Sequence, residues 1–583
     1  MILQALVNYY EALVKKGELA QPGWVAAKIS YALNIDAEGN LLGLIPLKKS
    51  VMQGKKNKEV PAELTVPEGL KKQGIKPSAQ FLWDNASYFI GADVKGDPVR
   101  SKKCFMAAQQ RHLKMLENAQ GEIAKAIKNY FLKWDADKAA ENKHIQECPD
   151  ILTAGNLVFI LNGKPPYAQE DPELQEIWNN FYSNKKSGLV GQCLVTGKTA
   201  PIAVLHPAIK GVRGGQSAGT SLVSFNAPAD ESYGNKQGAN APVSEYAAFA
   251  YGVALNYLLS CANNTIVIGD TTIVYWAEEV ESPFVNIFGA CIKDDVVEES
   301  TLNDVFEKLS QGEAADFNGI PVKPQNRFYV LALSPNVARL SIRFFLQSSI
   351  EKIAKNLLLH QQQLDIIKPA DEKHTGLPLW KLLQETANKN VKAKVATPLL
   401  AGAVFRAIME GRNYPQALLQ NILLRVKTDQ DNKERHIQKI NWVKAAIIKA
   451  CLVRNYKKEE ITVNLNEESN NKAYVLGRIF AVLEQLQKEV HKYQIVTTIK
   501  DKYFNAACST PAMIFPILMK LAGAHLKKTE YKEYKMNKEK QIGLLWDKLA
   551  MDEQPIPIRL SLEEQGIFIM GYYHQMQAKK EEK

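Results

Sequence analysis

The chain lacks the sequence patterns of secreted, metal-binding and membrane-spanning proteins. Its seven cysteines are scattered without a Cys-x-x-Cys pair, which argues against a disulfide framework or zinc cluster and favours a reducing compartment. No run of about 18 apolar residues occurs, so no membrane span is predicted. The opening MILQALVNYYEALVKKG has no basic leader and spaces its apolar residues like an amphipathic helix. We therefore expect a cytoplasmic protein with no metal, no cofactor and no membrane partner.

A nucleotide-binding loop is also missing, although GLVGQCLVTGKTAP resembles one. The phosphate-binding P-loop has the spacing G-x-x-x-x-G-K-[ST], because its amides must curve around the phosphates before the lysine reaches them. Counting back from Gly197, the first glycine is required at Gln192, whereas Gly191 stands one residue too early. Pro201 and Pro207 also exclude a long helix after the motif. The segment is instead predicted to be a turn between two strands.

A second motif, residues 215–219, matches the G-x-S-x-G nucleophile elbow of serine hydrolases. That elbow requires a buried strand before the serine and a helix after it. Here the preceding HPAIKGVRG is polar and interrupted by glycine, and the following TSLVSFN is strand-like. No feature selects His360, His374 or another histidine as the base of a triad with Ser217. A serine hydrolase that uses Ser217 therefore stays an alternative, and we expect a protein that is not an enzyme.

Size and charge indicate a multidomain protein with a polyanionic partner. At 583 residues and 65.2 kDa, the chain is long enough for two to four domains. Hydrophobic residues make up 46% and charged residues 23%, which is typical of a globular protein. Lysine and arginine outnumber aspartate and glutamate by 73 to 62, for a net charge of +11. This excess favours a nucleic-acid partner without proving one.

Periodicity predicts an α+β fold, with an irregular mixed region of antiparallel hairpins followed by an all-α helical bundle. Hairpin turns are predicted at Ala37–Asn40 and Gly269–Asp270, and a helix at 240–260 with Asn240 as a possible cap. A strand from Arg327 is predicted to lead into a helix that begins near Pro335. From about Ile350 onward the apolar residues have helical spacing. The predicted domains are a β-rich DNA-engaging subdomain, a mixed central region, a helical region and a C-terminal bundle, at residues 1–100, 101–350, 351–454 and 455–583.

A glycine-, serine- and asparagine-rich stretch, Arg213–Asn240, is predicted to be a binding loop. Glycines permit positive φ and close backbone approach, while cations and amides meet phosphates and aromatic rings stack on bases. A long surface loop with ordinary turns is the alternative, but a loop of this length in a compact domain is uncommon without a function. The candidate residues are Arg213, Gln216, Ser217, Ser221, Phe225, Asn226, Tyr233, Lys236, Gln237 and Asn240.

Several stretches together resemble one known family. They include MILQALVNYYEAL, KISYALNID, FLWDNASYFIG, CLVTGKTAPIAVLHPAIKGVRGGQSAGTSLVSFNAPADESYG, QGANAPVSEYAAFAYGVALNYLL and NKAYVLGRIFAVLEQLQ. In these segments the chain resembles the large subunit of the type I-C CRISPR interference complex, Cascade. The resemblance extends over nearly the whole chain, and the block from Cys193 to Leu259 is its most specific part.

The resemblance implies a non-catalytic subunit that recognises the protospacer-adjacent motif (PAM) in duplex DNA, assists duplex opening and R-loop formation, and helps recruit the nuclease. Readout beyond that motif is delegated to pairing with the guide. The implied partners are crRNA, target double-stranded DNA, the crRNA-processing handle-binding subunit, the crRNA-backbone subunits, the small subunit and the helicase–nuclease. A purely structural clamp on the crRNA handle is the remaining alternative.

The family's small subunit is commonly produced from an internal start within the helical region. Here no methionine lies between Met409 and Met513, so a start at a residue such as Val463 requires a non-AUG codon. For DNA contact we favour a set in the N-terminal region, since lysine supplies phosphate affinity and glutamine or asparagine reads base edges. The set is Lys55, Lys56, Ser78, Gln80 and Asn85. Arg339 and Arg343, predicted one helical turn apart, either extend this basic surface or pair with the acidic stretch near Asp294.

Overall fold

The computed structural model of the chain divides into two units. The first comprises Met1, Leu3–His206 and Phe225–Val253, and the second comprises Ile2, Pro207–Ser224 and Ala254–Lys583. The stretch predicted as one binding loop, Arg213–Asn240, is therefore shared between the units. The structure describes residues 1–53, 56–69, 77–92, 97–153, 155–183, 189–293, 299–317, 319–370, 372, 377–389, 397–432, 434–529, 532–549 and 554–578.

A seven-stranded mixed sheet forms the centre of the first unit. Its principal order is β3-β4-β1-β6-β5, with β2 also paired to β1 and β7 to β6. The strands are β1 (Trp24–Ile35), β2 (Leu41–Pro46), β3 (Lys48–Gln53), β4 (Lys56–Pro67), β5 (Trp83–Asp84), β6 (Asn156–Leu161) and β7 (Lys164–Tyr167). Only the pairing of β1 with β6 is parallel among these strands of the described chain. The predicted hairpin over Ala37–Asn40 is confirmed as the turn between β1 and β2.

Alternating side chains of β1 and β6 enter two separate cores. Leu33 and Phe159 belong to the larger core, together with aromatic residues of the helices, whereas Ala32 and Val158 belong to a smaller core on the other face. This alternation follows from the period of two in a strand. The helices of the unit are α1 (Ile2–Lys15), α2 (Ala86–Phe89), α3 (Pro98–Met115), α4 (Glu122–Lys133) and α6 (Pro172–Ser183), with a short α5 (Lys143–Glu147). A small hairpin follows, β8 (Val190–Gln192) with β9 (Thr199–Pro201).

The second unit contains a six-stranded sheet of order β10-β11-β17-β16-β13-β12. Its strands are β10 (Ala208–Ile209), β11 (Thr220–Ser221), β12 (Thr265–Ile268), β13 (Thr271–Ala277), β16 (Arg327–Asn336) and β17 (Arg339–Ser349), and β14 (Ala315–Phe317) and β15 (Ile320–Val322) form a separate ribbon. The predicted hairpin over Gly269–Asp270 is confirmed, because β12 and β13 pair across these residues and Gly269 has φ +65°. Glycine suits this left-handed turn conformation.

Helices make up the rest of the second unit, which confirms the predicted all-α C-terminal part. The helix α7 (Glu245–Ser260) has residues in both units, and the helices after it are α8 (Phe284–Lys293), α9 (Glu299–Ser310), α10 (Ile350–Leu364), α11 (Leu379–Thr386), α12 (Pro398–Glu410), α13 (Gln416–Thr428), α14 (Trp442–Tyr456), α15 (Lys472–Val490), α16 (Ile499–Ser509), α17 (Pro511–Lys527), α18 (Lys532–Asp547) and α19 (Leu562–Ala578). One continuous core runs from the sheet through α10, α14, α15 and α19. The finer domain boundaries stay predictions.

The prediction of a helix that begins near Pro335 is wrong. Residues 339–349 form the strand β17, which pairs antiparallel with β16 from Asn336↔Arg339 onward. Its β-branched and aromatic residues suit a half-buried strand, and long-range pairing overrides the local helical spacing. Arg339 and Arg343 therefore lie on a strand, about 13 Å apart at four residues of rise, and not one helical turn apart. Arg343 occupies a register shift, since Ile342 and Phe344 pair with the adjacent residues Leu333 and Ala332.

Candidate nucleic-acid interface

The Gly-Lys-Thr segment is a tight hairpin turn, as predicted, and a buried thiol holds it. Gly197 has φ +72°, and its N–H donates to the Cys193 carbonyl over 2.8 Å. The Cys193 sulfur accepts N–H groups from Val195 and Thr196 at 3.4 Å and from Ser244 at 3.2 Å. The amides of this turn are thus directed to a sulfur, and the segment has no phosphate cradle. Sequence reasoning missed Cys193, because a single cysteine has no diagnostic spacing.

The thiol also connects the hairpin to the start of α7. Burial alone raises the pKa of Cys193, but the hydrogen bonds from Ser244 and Thr196 outweigh burial and lower it to about 7. The Ser244 hydroxyl accepts the N–H of Ala247 over 3.2 Å and so caps the helix. The expectation of Asn240 as the cap is therefore wrong. Four residues earlier, Asn240 bonds within its own loop instead.

In the second unit, residues 210–219 connect β10 with β11 and are named the Arg213 loop. Three polar contacts fix its base: the Lys210 N–H donates to Asn256 Oδ1 over 2.8 Å, the Asn256 amide donates to the Ala208 carbonyl, and the Arg213 N–H donates to Thr272 Oγ1 over 3.0 Å. On the far side, Ser221 of β11 pairs with Arg339 of β17. The loop is thereby anchored to the six-stranded sheet at both ends.

The side chains of Lys210, Arg213, Gln216 and Ser217 are exposed, whereas Val212 is buried and anchors the loop. Residues 207–224 contain two cations and no carboxylate. Within the described part of the chain, no hydrogen bond or ion pair holds the Arg213 guanidinium. The loop therefore offers an unneutralised cation, polar side chains and glycine-rich backbone at the protein surface. This is the donor chemistry that phosphate and base-edge contacts require.

Ser217 does not lie on a nucleophile elbow. The strand before it, β10, has two residues, and the element after it is the strand β11 and not a helix. Tight turns flank it, with Gly219 N–H donating to the Gln216 carbonyl over 2.9 Å. Among the described residues no histidine or carboxylate bonds its hydroxyl. The strand–turn–helix geometry of a serine hydrolase is thus not formed here.

In the first unit, residues 226–240 form a second loop, named the Tyr233 loop. Asp230 accepts the N–H groups of Asn226 and Ala227 at its start, each over 3.1 Å. Asn240 closes its end, since its Oδ1 accepts from Ser232 and its amide donates to the carbonyls of Asn235 and Gln237. Tyr233, Lys236 and Gln237 are exposed, and Phe225 just before the loop is half-buried. Of the ten predicted residues, Arg213, Gln216, Ser217 and Ser221 thus lie in the second unit, and the other six lie in the first.

The predicted N-terminal set is distributed between surface and interior. Lys55 lies outside the described residues, as does the side chain of Lys56, whose backbone pairs with Gln53 at the β3–β4 turn. Gln80 is only 5% exposed, and its N–H donates to the buried Asp84 carboxylate over 2.9 Å. Ser78 and Asn85 are half-buried. Base readout by this set stays a prediction, and Gln80 has a packing role in this conformation.

Asn85 nevertheless differs from its neighbours in one respect. Its Oδ1 is buried and, among the described residues, has no hydrogen-bond partner, while its N–H donates to Asp84 Oδ1.

The nearby His112 ring is fully buried, and desolvation lowers its pKa to about 3. Its Nε2 therefore accepts the Leu82 N–H over 3.0 Å as a neutral imidazole. The segment 78–85 is rigidly held by buried polar contacts.

Arg343 has an acidic partner other than the predicted stretch near Asp294, a residue that lies outside the described chain. Its guanidinium is 3.4 Å from the Asp270 carboxylate at the β12–β13 turn and 3.3 Å from the Ser334 hydroxyl. The pair is half-exposed, so it contributes little to stability. Arg339, four residues before it, is exposed on the same strand.

Metal clusters and membrane-spanning helices are both absent from the part of the chain that the structure describes. There, no cluster of three or more histidine, cysteine, aspartate or glutamate side chains is placed to bind a metal ion. None of the helices described has the length and apolar character needed to cross a bilayer.

Comparison with known proteins gives one family. No curated protein matches the chain with significance. A family model described as "CRISPR-associated protein (Cas_Csd1)" matches residues 6–579, nearly the whole chain. The match includes both units and both loops. The chain therefore belongs to the CRISPR-associated Csd1 family.

Proposed function

We propose that the chain is the large subunit of a type I-C Cascade complex and that it recognises the PAM in double-stranded DNA without catalysing a reaction. Family membership supports a role in CRISPR interference. The observation that carries the DNA-binding part is the Arg213 loop, an exposed and acid-free loop fixed at both ends to a sheet. In this proposal the subunit also assists duplex opening and R-loop formation and helps recruit the helicase–nuclease.

The chemistry of the loop suits a duplex groove. Arg213 carries a permanently charged, planar guanidinium group, which can donate two hydrogen bonds to a phosphate or to the O6 and N7 atoms of guanine. Gln216, exposed three residues later, carries the amide group that pairs with adenine N6 and N7. Gly214 has φ +77°, and glycines at such positions let the backbone approach a phosphate closely. Arg213 is thus assigned to affinity and Gln216 to base selection.

The test uses the assembled complex, with crRNA and the remaining Cascade subunits, on duplex targets that carry different PAM sequences. Arg213→Ala is expected to weaken binding about tenfold and to reduce the slope of log K against log[salt] by about 1. Gln216→Ala is expected to leave the salt slope unchanged and to reduce the preference among PAM sequences. Arg559→Ala is the matched control, because Arg559 is an exposed arginine of the same unit with no acidic partner among the described residues.

Other outcomes favour the alternatives. Equal binding of correct and mutated PAM targets by the unaltered complex indicates a structural clamp on the crRNA handle. Esterase activity that disappears in Ser217→Ala indicates a hydrolase. If Arg213→Ala and Arg559→Ala bind DNA alike, the Arg213 loop is not the interface, and single replacements of Lys55, Lys56, Ser78 and Asn85 test the N-terminal set.

A further inference from the structure

Tyr233 is the most exposed large hydrophobic residue in the part of the chain that the structure describes, with a relative exposure of 103%. Its backbone has φ +53°, and the next residue, Gly234, has φ +76°. The Asn235 N–H donates to the Ser232 carbonyl over 2.9 Å, which closes a four-residue turn. Two consecutive positive φ values define a type I′ turn, whose first central position favours asparagine, aspartate or glycine. A tyrosine there is strained and unsupported by packing, which suggests a role outside the fold.

The loop that presents Tyr233 is rigidly held. Asn240 cross-links Ser232, Asn235 and Gln237 through three hydrogen bonds of 3.0–3.3 Å. Gly238 packs so closely that an added Cβ would lie 1.9 Å from the Ala203 carbonyl oxygen, and its N–H donates to Val204. The ring is thus projected from a preorganised base, so binding requires little further ordering of the loop backbone.

The residues of the turn favour a nucleobase over a protein surface. Ser232, Asn235, Lys236 and Gln237 are all exposed, and the turn contributes no other large apolar side chain. A protein-binding anchor is typically surrounded by further apolar contacts that exclude water. A single aromatic ring among amides and a lysine matches the stacking platforms that bind single-stranded nucleic acid, where every base offers a π face.

We propose that Tyr233 stacks on an unpaired nucleobase, with Lys236 near the adjoining phosphate. This inference rests on the proposed function and extends it, since opening a duplex leaves a base without its partner. The base comes either from a target DNA strand beside the PAM or from the crRNA handle, and the chemistry of stacking is the same for both. The phenolic hydroxyl has no required part, because the ring face makes the contact.

The experiment places the fluorescent base analogue aminopurine, which stacking quenches, at single positions in the assembled complex. One set of samples carries it in either DNA strand beside the PAM, and another carries it in the crRNA handle. Tyr233→Asn is the informative variant, because asparagine suits the turn and preserves the loop while removing the ring. Tyr233→Phe and Tyr233→Trp keep a ring. Tyr493→Asn is the control: Tyr493 is 71% exposed, has φ +59° and lies in a similar turn closed by Gln494 and His491.

We expect severalfold quenching at one position, which identifies the source of the base, and its loss in Tyr233→Asn but not in Tyr233→Phe, Tyr233→Trp or Tyr493→Asn. Equal quenching in Tyr233→Asn and the unaltered complex overturns the proposal, as does loss in Tyr233→Phe, which indicates a hydroxyl contact. Failure of Tyr233→Asn to assemble with the other subunits indicates a protein contact and also overturns it. PAM-dependent binding measured on the same samples shows whether the proposed function itself has failed.

Discussion

Two glycines allow the helices α15 and α19 to touch backbone to backbone, and replacing either should destabilise the second unit. A Cβ added at Gly477 would lie 2.0 Å from the carbonyl oxygen of Phe568, and one added at Gly571 would lie 2.0 Å from that of Tyr474. Ordinary contact requires at least 3.4 Å, so the helices must separate by more than 1 Å. Because the obstacle is backbone, no side-chain rotation relieves it, and Gly477→Ala should cost at least the upper end of the usual overpacking range, about 3 kcal/mol.

Calorimetry of the full chain measures this cost. For a unit of about 350 residues the entropy of unfolding gives about 1.4 °C for each kcal/mol, so Gly477→Ala should lower Tm by about 4 °C. Gly523→Ala is the matched control, since Gly523 is an exposed residue inside α17 with nothing within 4 Å of the added Cβ. There the gain in helix propensity, up to about 1 kcal/mol, should raise Tm slightly. If Gly477→Ala melts at or above the Tm of the unaltered chain, the close approach of α15 and α19 is incorrect.

Three further predictions concern buried ionisable groups, each measured by urea unfolding. Lys444→Met should cost about 3 kcal/mol, the lower end of the range for breaking a buried ion pair, because the Lys444 ammonium lies 2.7 Å from the buried Asp429 carboxylate, which keeps Arg425 at 3.7 Å; a double variant with Asp429→Leu should recover part of the loss. The pKa of Cys193 falls from 9.0 in the unfolded chain to about 7 in the folded chain. Between pH 7 and pH 9 the thiol is therefore protonated in the unfolded chain and mostly ionised in the folded chain. The stability lost in Cys193→Ala should therefore grow as pH rises from 7 to 9, and a constant difference contradicts the low pKa. Burial lowers the pKa of His112 from 6.5 to about 3, so the folded chain keeps this imidazole neutral while the unfolded chain protonates it. The free energy of unfolding should therefore fall as the pH drops below 6.5. His112→Met should flatten that acid dependence while lowering stability near neutrality, since the Leu82 N–H loses its acceptor.

Local signals in the sequence predict the elements that local chemistry determines. The turns at Ala37–Asn40 and Gly269–Asp270 and the helices after Ile350 follow from glycine, asparagine and apolar spacing, and all are found. The segment 339–349 is different, because its apolar residues fit both a helix and a strand. Pairing with β16 decides the outcome, and that pairing depends on tertiary context. The parallel contact of β1 with β6, more than 100 residues apart, leaves no local trace at all.

The candidate site is harder to predict, because individual side-chain hydrogen bonds position its loops, and these leave no periodic pattern in the sequence. Asparagine is a good helix cap, yet Ser244 caps α7 while Asn240 closes the Tyr233 loop. Residue type marks both as hydrogen-bonding residues, but the choice between them depends on where the chain folds back. Likewise, composition marks Arg213–Asn240 as one polar stretch, whereas the structure assigns its two halves to separate units.

Segments with little regular structure hold a defined shape here through single contacts of this kind. The β8–β9 hairpin and the Tyr233 loop have few backbone hydrogen bonds between strands. Their shape is fixed instead by hydrogen bonds to the Cys193 sulfur, by those of the Asn240 amide, and by the close backbone approach that Gly238 allows. Each contact occurs once and has no substitute nearby, since a serine oxygen at 193 is smaller than sulfur and any Cβ at 238 meets a carbonyl. Replacing these residues should therefore displace the loops and weaken nucleic-acid binding while both sheets stay folded. That separation of effects distinguishes a loop shaped for a ligand from one that only connects strands.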